Sequence, residues 1–193
     1  MAATESTMLE LGTYAPSFRL KDPKGEFYNF SEIAEGKKAM VVAFICNHCP
    51  FVIHVAQVLS NIARAYENQE VGFVGINSND MTRYPADSAD KMRVFSKKYN
   101  FCFPYLIDNT QQLAKAYRAA CTPDFFLFDS QTQLTYRGQM DDSRPGNNLP
   151  VTGKDLKAAI EATLQGSPPV DPQIPSIGCN IKWIPGSEPD YVL

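Results

Sequence analysis

The chain is short of the features that mark several large protein classes. None of its apolar runs approaches the length needed to cross a bilayer, so no membrane association is expected. Eighteen Lys and Arg stand against 21 Asp and Glu, a net charge of −3, and the pairs Lys37-Lys38 and Lys97-Lys98 are too small to make a basic face. A nucleic-acid partner, which needs such a face, is not expected. The start, Met1-Ala2-Ala3-Thr4-Glu5-Ser6-Thr7, lacks the basic opening and apolar middle of a secretion signal, so the expected location is cytoplasmic. Only two histidines are available as soft-metal ligands.

What remains is the composition of an ordinary globular protein. The 193 residues are 44% hydrophobic and 20% charged, enough for one domain with a sizeable core. Cysteines stand at 46, 49, 102, 121 and 179. An odd number in a cytoplasmic chain argues against a disulfide framework and leaves buried thiols, metal ligands or catalysts.

Two periodicities alternate between about residues 15 and 165. Phe18 to Lys21 and Glu26 to Phe30 alternate apolar and polar around the turn Asp22-Pro23-Lys24-Gly25, which reads as a hairpin. Ser31 to Glu35 reads as a short helical turn. Met40 to Ile45 and Val71 to Ile76 are continuous apolar runs, as in strands buried on both faces. Val52, Val55, Leu59, Ile62 and Tyr66 recur at helical spacing, and Pro50 suits the first turn of that helix. A second amphipathic helix is expected over Asp87 to Tyr99, with Asp87 and Lys91 spaced as an i,i+4 pair.

Phe103 to Ile107 reads as extended and Gln111 to Tyr117 as a short helix. Phe125 to Phe128 and Leu134 to Arg137 read as paired strands, and Thr152 as the cap of a last helix ending near Leu164. The order βαβα followed by ββα predicts an α/β fold with a central mixed sheet flanked by helices. From Gly166 onward prolines are frequent and no period survives. Residues 10–165 are therefore read as one domain and 166–193 as a proline-rich tail, packed through Ile181, Trp183 and Ile184.

The chemistry concentrates in Cys46-Asn47-His48-Cys49, between a buried strand and a helix. A helix N-terminus offers unpaired N–H groups and a positive dipole end that stabilise a thiolate. Two cysteines three apart there can form and break a disulfide with little backbone movement, Cys46 as the exposed nucleophile and Cys49 as the resolving thiol. His48 can stabilise the thiolate and so make the couple more oxidising than thioredoxin's roughly −270 mV, or it can be a plain loop residue. His54 reads as a helix-face residue. Thr122-Pro123 directly precedes a strand, and a cis bond there would present the Thr122 backbone to an extended partner chain. Cys102, between two phenylalanines, reads as buried. Cys121 and Cys179 are candidates for additional redox thiols.

These motifs carry a resemblance. The opening Ala15-Pro16-x-Phe18-x-Leu20-x-Asp22-x-x-Gly25 resembles the start of the redoxin, peroxiredoxin-like branch of the thioredoxin superfamily, while the C-x-x-C and Thr122-Pro123 resemble thioredoxin. The segments Asp141 to Gly146 and Pro175 to Trp183 also look like the peroxiredoxin-like proteins that carry a thioredoxin-style C-x-x-C. The resemblance implies a thioredoxin fold with an N-terminal β-hairpin extension, and an antioxidant or thiol–disulfide oxidoreductase activity without a bound cofactor. It also implies protein or small-molecule disulfides as partners, with thioredoxin or glutathione as reductant, and allows a homodimer.

By the same resemblance, a peroxiredoxin's peroxidatic cysteine would fall on Cys49. The Thr and Pro that accompany it are here Cys46 and Val42, and Thr122 stands where an Arg is needed, with Arg118 displaced by a helical turn. Loss of such donors removes ~10²–10³ in rate apiece, which disfavours peroxidase activity. No carboxylate lies in Met40 to Ile45 to match thioredoxin's buried acid. Three alternatives stay open: a thiol-dependent, peroxiredoxin-like peroxidase, copper or zinc held by Cys46, His48 and Cys49, and a non-catalytic binding module.

Overall fold

A computed structural model describes residues 3–192. In chain order its strands are β1 (Ala3–Glu5), β2 (Arg19–Lys21), β3 (Phe27–Asn29), β4 (Ala39–Phe44), β5 (Val71–Asn77) and β6 (Tyr105–Ile107). They continue with β7 (Cys121–Thr122), β8 (Asp124–Asp129), β9 (Leu134–Gly138) and β10 (Ile177–Asn180). The helices are α1 (Phe30–Ala34), α2 (Pro50–Tyr66), α3 (Ala89–Lys98), α4 (Gln112–Ala116) and α5 (Lys154–Leu164).

Seven strands form the main sheet in the order β3-β2-β6-β5-β4-β8-β9. At its centre β4 runs parallel to β5 and antiparallel to β8. Every residue of β4 and β5 is buried, because the sheet is covered on both faces and an unbroken apolar strand suits that setting. Val41, Ala43 and Ile45 face one core with α2, α3 and α5, whereas Met40, Val42 and Phe44 face a second with α4 and Trp183. This is the expected α/β architecture with its central mixed sheet and N-terminal hairpin.

Four local expectations are corrected. Asp87 does not pair with Lys91 in a helix. It ends a 3₁₀ turn (Pro85–Asp87) and is fully buried, while α3 starts two residues later. The last helix is capped at Gly153 rather than Thr152, since the Asp141 carboxylate accepts the backbone N–H groups of both residues. Cys102 is exposed, because Phe101 and Phe103 stack on each other at 4.5 Å and Phe101 packs on Phe95, turning the side chain between them outward. Ile184 is partly exposed, although Ile181 and Trp183 pack as expected.

The C-terminal segment departs most from its sequence reading. Its strand β10 lies between β1 and β7 in a separate three-stranded sheet, with Cys179 opposite Ala3 on one side and Thr122 on the other. The Gln111 side chain donates to the Lys182 carbonyl at 2.9 Å and accepts from the Ile184 N–H at 2.8 Å. Asn79 accepts from the Lys182 N–H at 2.8 Å. These buried polar contacts fasten the segment to the loops at the C-terminal edge of β5 and β6, beside the C-x-x-C loop.

Candidate active site

Helix α2 begins where the sequence places it, and Cys49 is its N-cap with Pro50 in the first turn. The Cys49 sulfur therefore sits at the positive end of α2, near the unpaired N–H groups of its first turn. Its Sγ lies 2.7 Å from the Sγ of Cys179 and 3.2 Å from the carbonyl oxygen of Thr122. Cys46 is on the other side, its Sγ 3.4 Å from the Thr122 hydroxyl. All three sulfurs are buried, and Cys46 is only 1% exposed, which corrects the expectation of an exposed nucleophile.

Electrostatics in this cluster is unequal. Contact with Cys179 and then with Cys46, against the cost of burial, holds the Cys49 titration far below the ordinary thiol range. Cys46 is pushed well up, first by its hydrogen bond to Cys49, then by burial and by the negative charge of Asp87. Cys179 is pushed up by the same bond to Cys49 and by burial. The three sulfurs therefore titrate as interacting sites, with Cys49 favoured to ionise ahead of its two neighbours.

Asp87 organises the loop. Its carboxylate accepts the Asn47 N–H at 2.8 Å and the Asn79 side-chain N–H at 2.7 Å. His48 Nδ1 lies 2.8 Å from the same carboxylate, a charge contact without good hydrogen-bond alignment, and the ring stacks on Tyr84. That contact with Asp87 is the first cause of the raised His48 titration, and the charge of Cys49 is the weakest. His48 is therefore placed primarily on Asp87 and only at longer range on sulfur. Tyr105 donates to the Asn47 side chain at 3.1 Å from a fully buried position. His54, on α2, instead contacts Ser143 at 2.7 Å.

Thr122 lies beside the sulfurs of Cys46 and Cys49, and its peptide bond to Pro123 is cis. The Thr122 edge is occupied by the chain's own β10. Cys121 is buried and faces Pro123 and Ser176 backbone carbonyls, not the sulfur cluster. Arg118 stacks over Tyr191, 4.7 Å from the ring, so it does not supply the donor that peroxide activation needs. Among the described residues, Cys46, His48 and Asp87 form a group whose potential ligand atoms lie within 4.8 Å of one another, which replaces Cys49 by Asp87 in the expected metal set.

Two buried acids, one at the site and one beside Cys121, are not signalled by the sequence pattern. Asp87 was assigned to a helix face, although the preceding Pro85 and the Asn77-Ser78-Asn79 cluster signal a built loop. Asp124 opens β8, fully buried beside Cys121, and burial pushes it up to about 7 despite a hydrogen bond from Ser6. Of the two, Asp87 is the one whose charge acts on Cys46.

A model of the Redoxin family matches residues 10–156. The thiol-disulfide oxidoreductase ResA of Geobacillus kaustophilus is 26% identical over 131 residues, covering 68% of this chain and 70% of that protein. The structure superposes on an uncharacterized conserved protein of the same organism with a TM-score of 0.93 at 49% identity, over 96% of this chain and 98% of that one. It also matches the thioredoxin domain of a thiol-disulfide oxidoreductase from Bacteroides vulgatus with a TM-score of 0.58 at 15% identity, over 68% and 89% of the two chains. That last likeness identifies the architecture as a thioredoxin fold. No helix among the described residues is long and apolar enough to cross a membrane.

Proposed function

The chain belongs to the Redoxin family, and on that footing we propose that it is a thiol–disulfide oxidoreductase whose working couple is Cys46 and Cys49. The observation that carries this reading is the position of Cys49 as N-cap of α2, where the helix N-terminus favours a thiolate able to take the Cys46 proton. Passing that proton to Cys49 frees the Cys46 thiolate. The Cys46 thiolate then attacks one sulfur of a partner disulfide, the other partner sulfur leaves as a thiolate that takes the proton from Cys49, and a mixed disulfide forms. Cys49 attacks the Cys46 sulfur, closes the Cys46–Cys49 disulfide and releases the second partner thiol.

His48 supports the step through Asp87. As an imidazolium it offsets the carboxylate charge that opposes a thiolate on Cys46. Burial of all three sulfurs means that a partner reaches them through a local opening of the loop or of β10. Protein and small-molecule disulfides are the substrate class, and a thioredoxin or glutathione resets the couple in a reducing, cytoplasm-like compartment. Residues 10–165 carry the activity, and the C-terminal segment completes the wall of the site. A Cys49→Ser protein should accumulate a mixed disulfide at Cys46 when mixed with oxidised glutathione or an oxidised protein substrate. Recovery of Cys46 unmodified under those conditions would sink the reading.

The grouping of Cys46, His48 and Asp87 favours a second reading, a thiolate-bound zinc or copper ion. Asp87 already accepts two N–H groups in this arrangement, which leaves its carboxylate little capacity for a metal. Stoichiometric metal retained through purification and lost in Cys46→Ser would establish it.

A further inference from the structure

We propose that Cys179 is a third redox thiol of this centre, which exchanges into the Cys46–Cys49 disulfide to form a Cys49–Cys179 disulfide. This inference rests on the oxidoreductase reading above and extends it to the C-terminal segment.

The geometry points there from two directions. Strand β10 pairs antiparallel with β7, and the register sets Cys179 opposite Thr122. That is the backbone edge suited to an extended partner chain, so the protein's own strand lies where a substrate strand would, with its cysteine directed at the centre. Side-chain placement agrees, since Cys179 Sγ is 2.7 Å from Cys49 Sγ across 130 residues of sequence. Gly178 permits this approach: a Cβ there would stand 2.0 Å from the Thr122 carbonyl oxygen. The strand is held on its far side by β1, and beyond its end by buried Ile181 and Trp183. Cys121 has no comparable placement, since its sulfur faces backbone carbonyls.

The chemistry balances without an added oxidant. After a partner disulfide has oxidised the couple, the Cys179 sulfur attacks Cys49 Sγ in line with the Cys46–Cys49 bond. The Cys49–Cys179 bond forms and the Cys46–Cys49 bond breaks. Its electron pair leaves on Cys46, which takes up the proton given by Cys179. The oxidation level is unchanged, but Cys46 is again a free thiol and β10 is covalently tied to the start of α2.

Peptide mapping distinguishes the outcomes, because trypsin leaves Cys46 and Cys49 together in fragment 39–64 and Cys179 in fragment 158–182. The full chain and its Cys46→Ser variant are equilibrated with oxidised glutathione, blocked with N-ethylmaleimide and digested. The expected result is a disulfide within 39–64 in a part of the wild-type molecules, a cross-link between 39–64 and 158–182 in the rest, and the cross-link in Cys46→Ser. A wild-type protein that forms the Cys46–Cys49 disulfide, with no cross-link in either protein, overturns the proposal and leaves the oxidoreductase reading intact. Failure to form either disulfide overturns both. The wild-type cross-link is itself informative should Cys46→Ser not fold, and Gly178→Ala should abolish it while sparing the disulfide within 39–64. Persistence of the cross-link in Gly178→Ala would also contradict the proposed approach.

Discussion

Cys46 reaches Cys49 through a short loop fixed by Asp87, Asn79 and Tyr105, whereas Cys179 reaches it across 130 residues on a strand paired to only two residues of β7. The first arrangement is local and rigid. The second depends on tertiary packing and on one glycine. Cys49 is thus flanked by one neighbour held within its own loop and by another held through the packing of the C-terminal segment. Low local stability suits elements that open for a partner.

Removing the shared sulfur has the largest expected effect on this comparison. Cys49→Ser should lower disulfide-exchange turnover on the order of 10²-fold or more, because the couple acts as a unit. An insulin-reduction assay with a thiol reductant reads the loss, and near wild-type turnover would transfer the chemistry to another pair.

A stability measurement tests the side of the site that holds β10. Ser6 bonds both Asp124 and the Ser176 backbone, so the Asp124 carboxyl lies under the N-terminal anchor of that strand. Its folded value of about 7 exceeds the ordinary 3.8, so the folded chain binds the extra proton between those values. Stability should therefore fall as pH rises from about 4 to 7. Asp124→Asn should remove that slope and raise stability at pH 7.5 by roughly 2–4 kcal/mol, read by denaturant unfolding. An unchanged slope would show that the carboxyl is already ionised in the fold.

Gly178→Ala addresses the close approach itself. The added Cβ meets the Thr122 backbone, so β10 must shift, at a cost of about 1–3 kcal/mol. Alkylation of Cys179 should speed up, while that of Cys102, already exposed, should not change.

The smallest effect is expected on the loop side. The raised titration of His48, caused first by Asp87, contributes stability below its ordinary value of 6.5. That contribution is lost as pH rises through the folded value above it. The ring is partly open to solvent, so His48→Asn should cost only about 0.5 kcal/mol at pH 6 and less at pH 8. Equal losses at both pH values would remove the ion pair as its cause.

Much of this arrangement was legible in the sequence because it is local. Apolar runs marked β4 and β5, helical spacing with Pro50 marked α2, and the cysteine pair fell at their junction. Strand β10 was not legible. Ile177-Gly178-Cys179-Asn180 has too few apolar residues for a period, and its partners at residues 3–5 and 121–122 lie far away in the chain. Asp87 was misread for a related reason: its burial is decided by Asn47, His48 and Asn79 across the loops, and its spacing from Lys91 is incidental.

The most direct test of the central claim is a redox titration of the wild-type chain in glutathione buffers, with the Cys46–Cys49 disulfide followed in fragment 39–64. The expected result is a reversible couple more oxidising than about −270 mV, because the site stabilises the reduced, thiolate form. The absence of any Cys46–Cys49 disulfide across the whole range of buffers would contradict it.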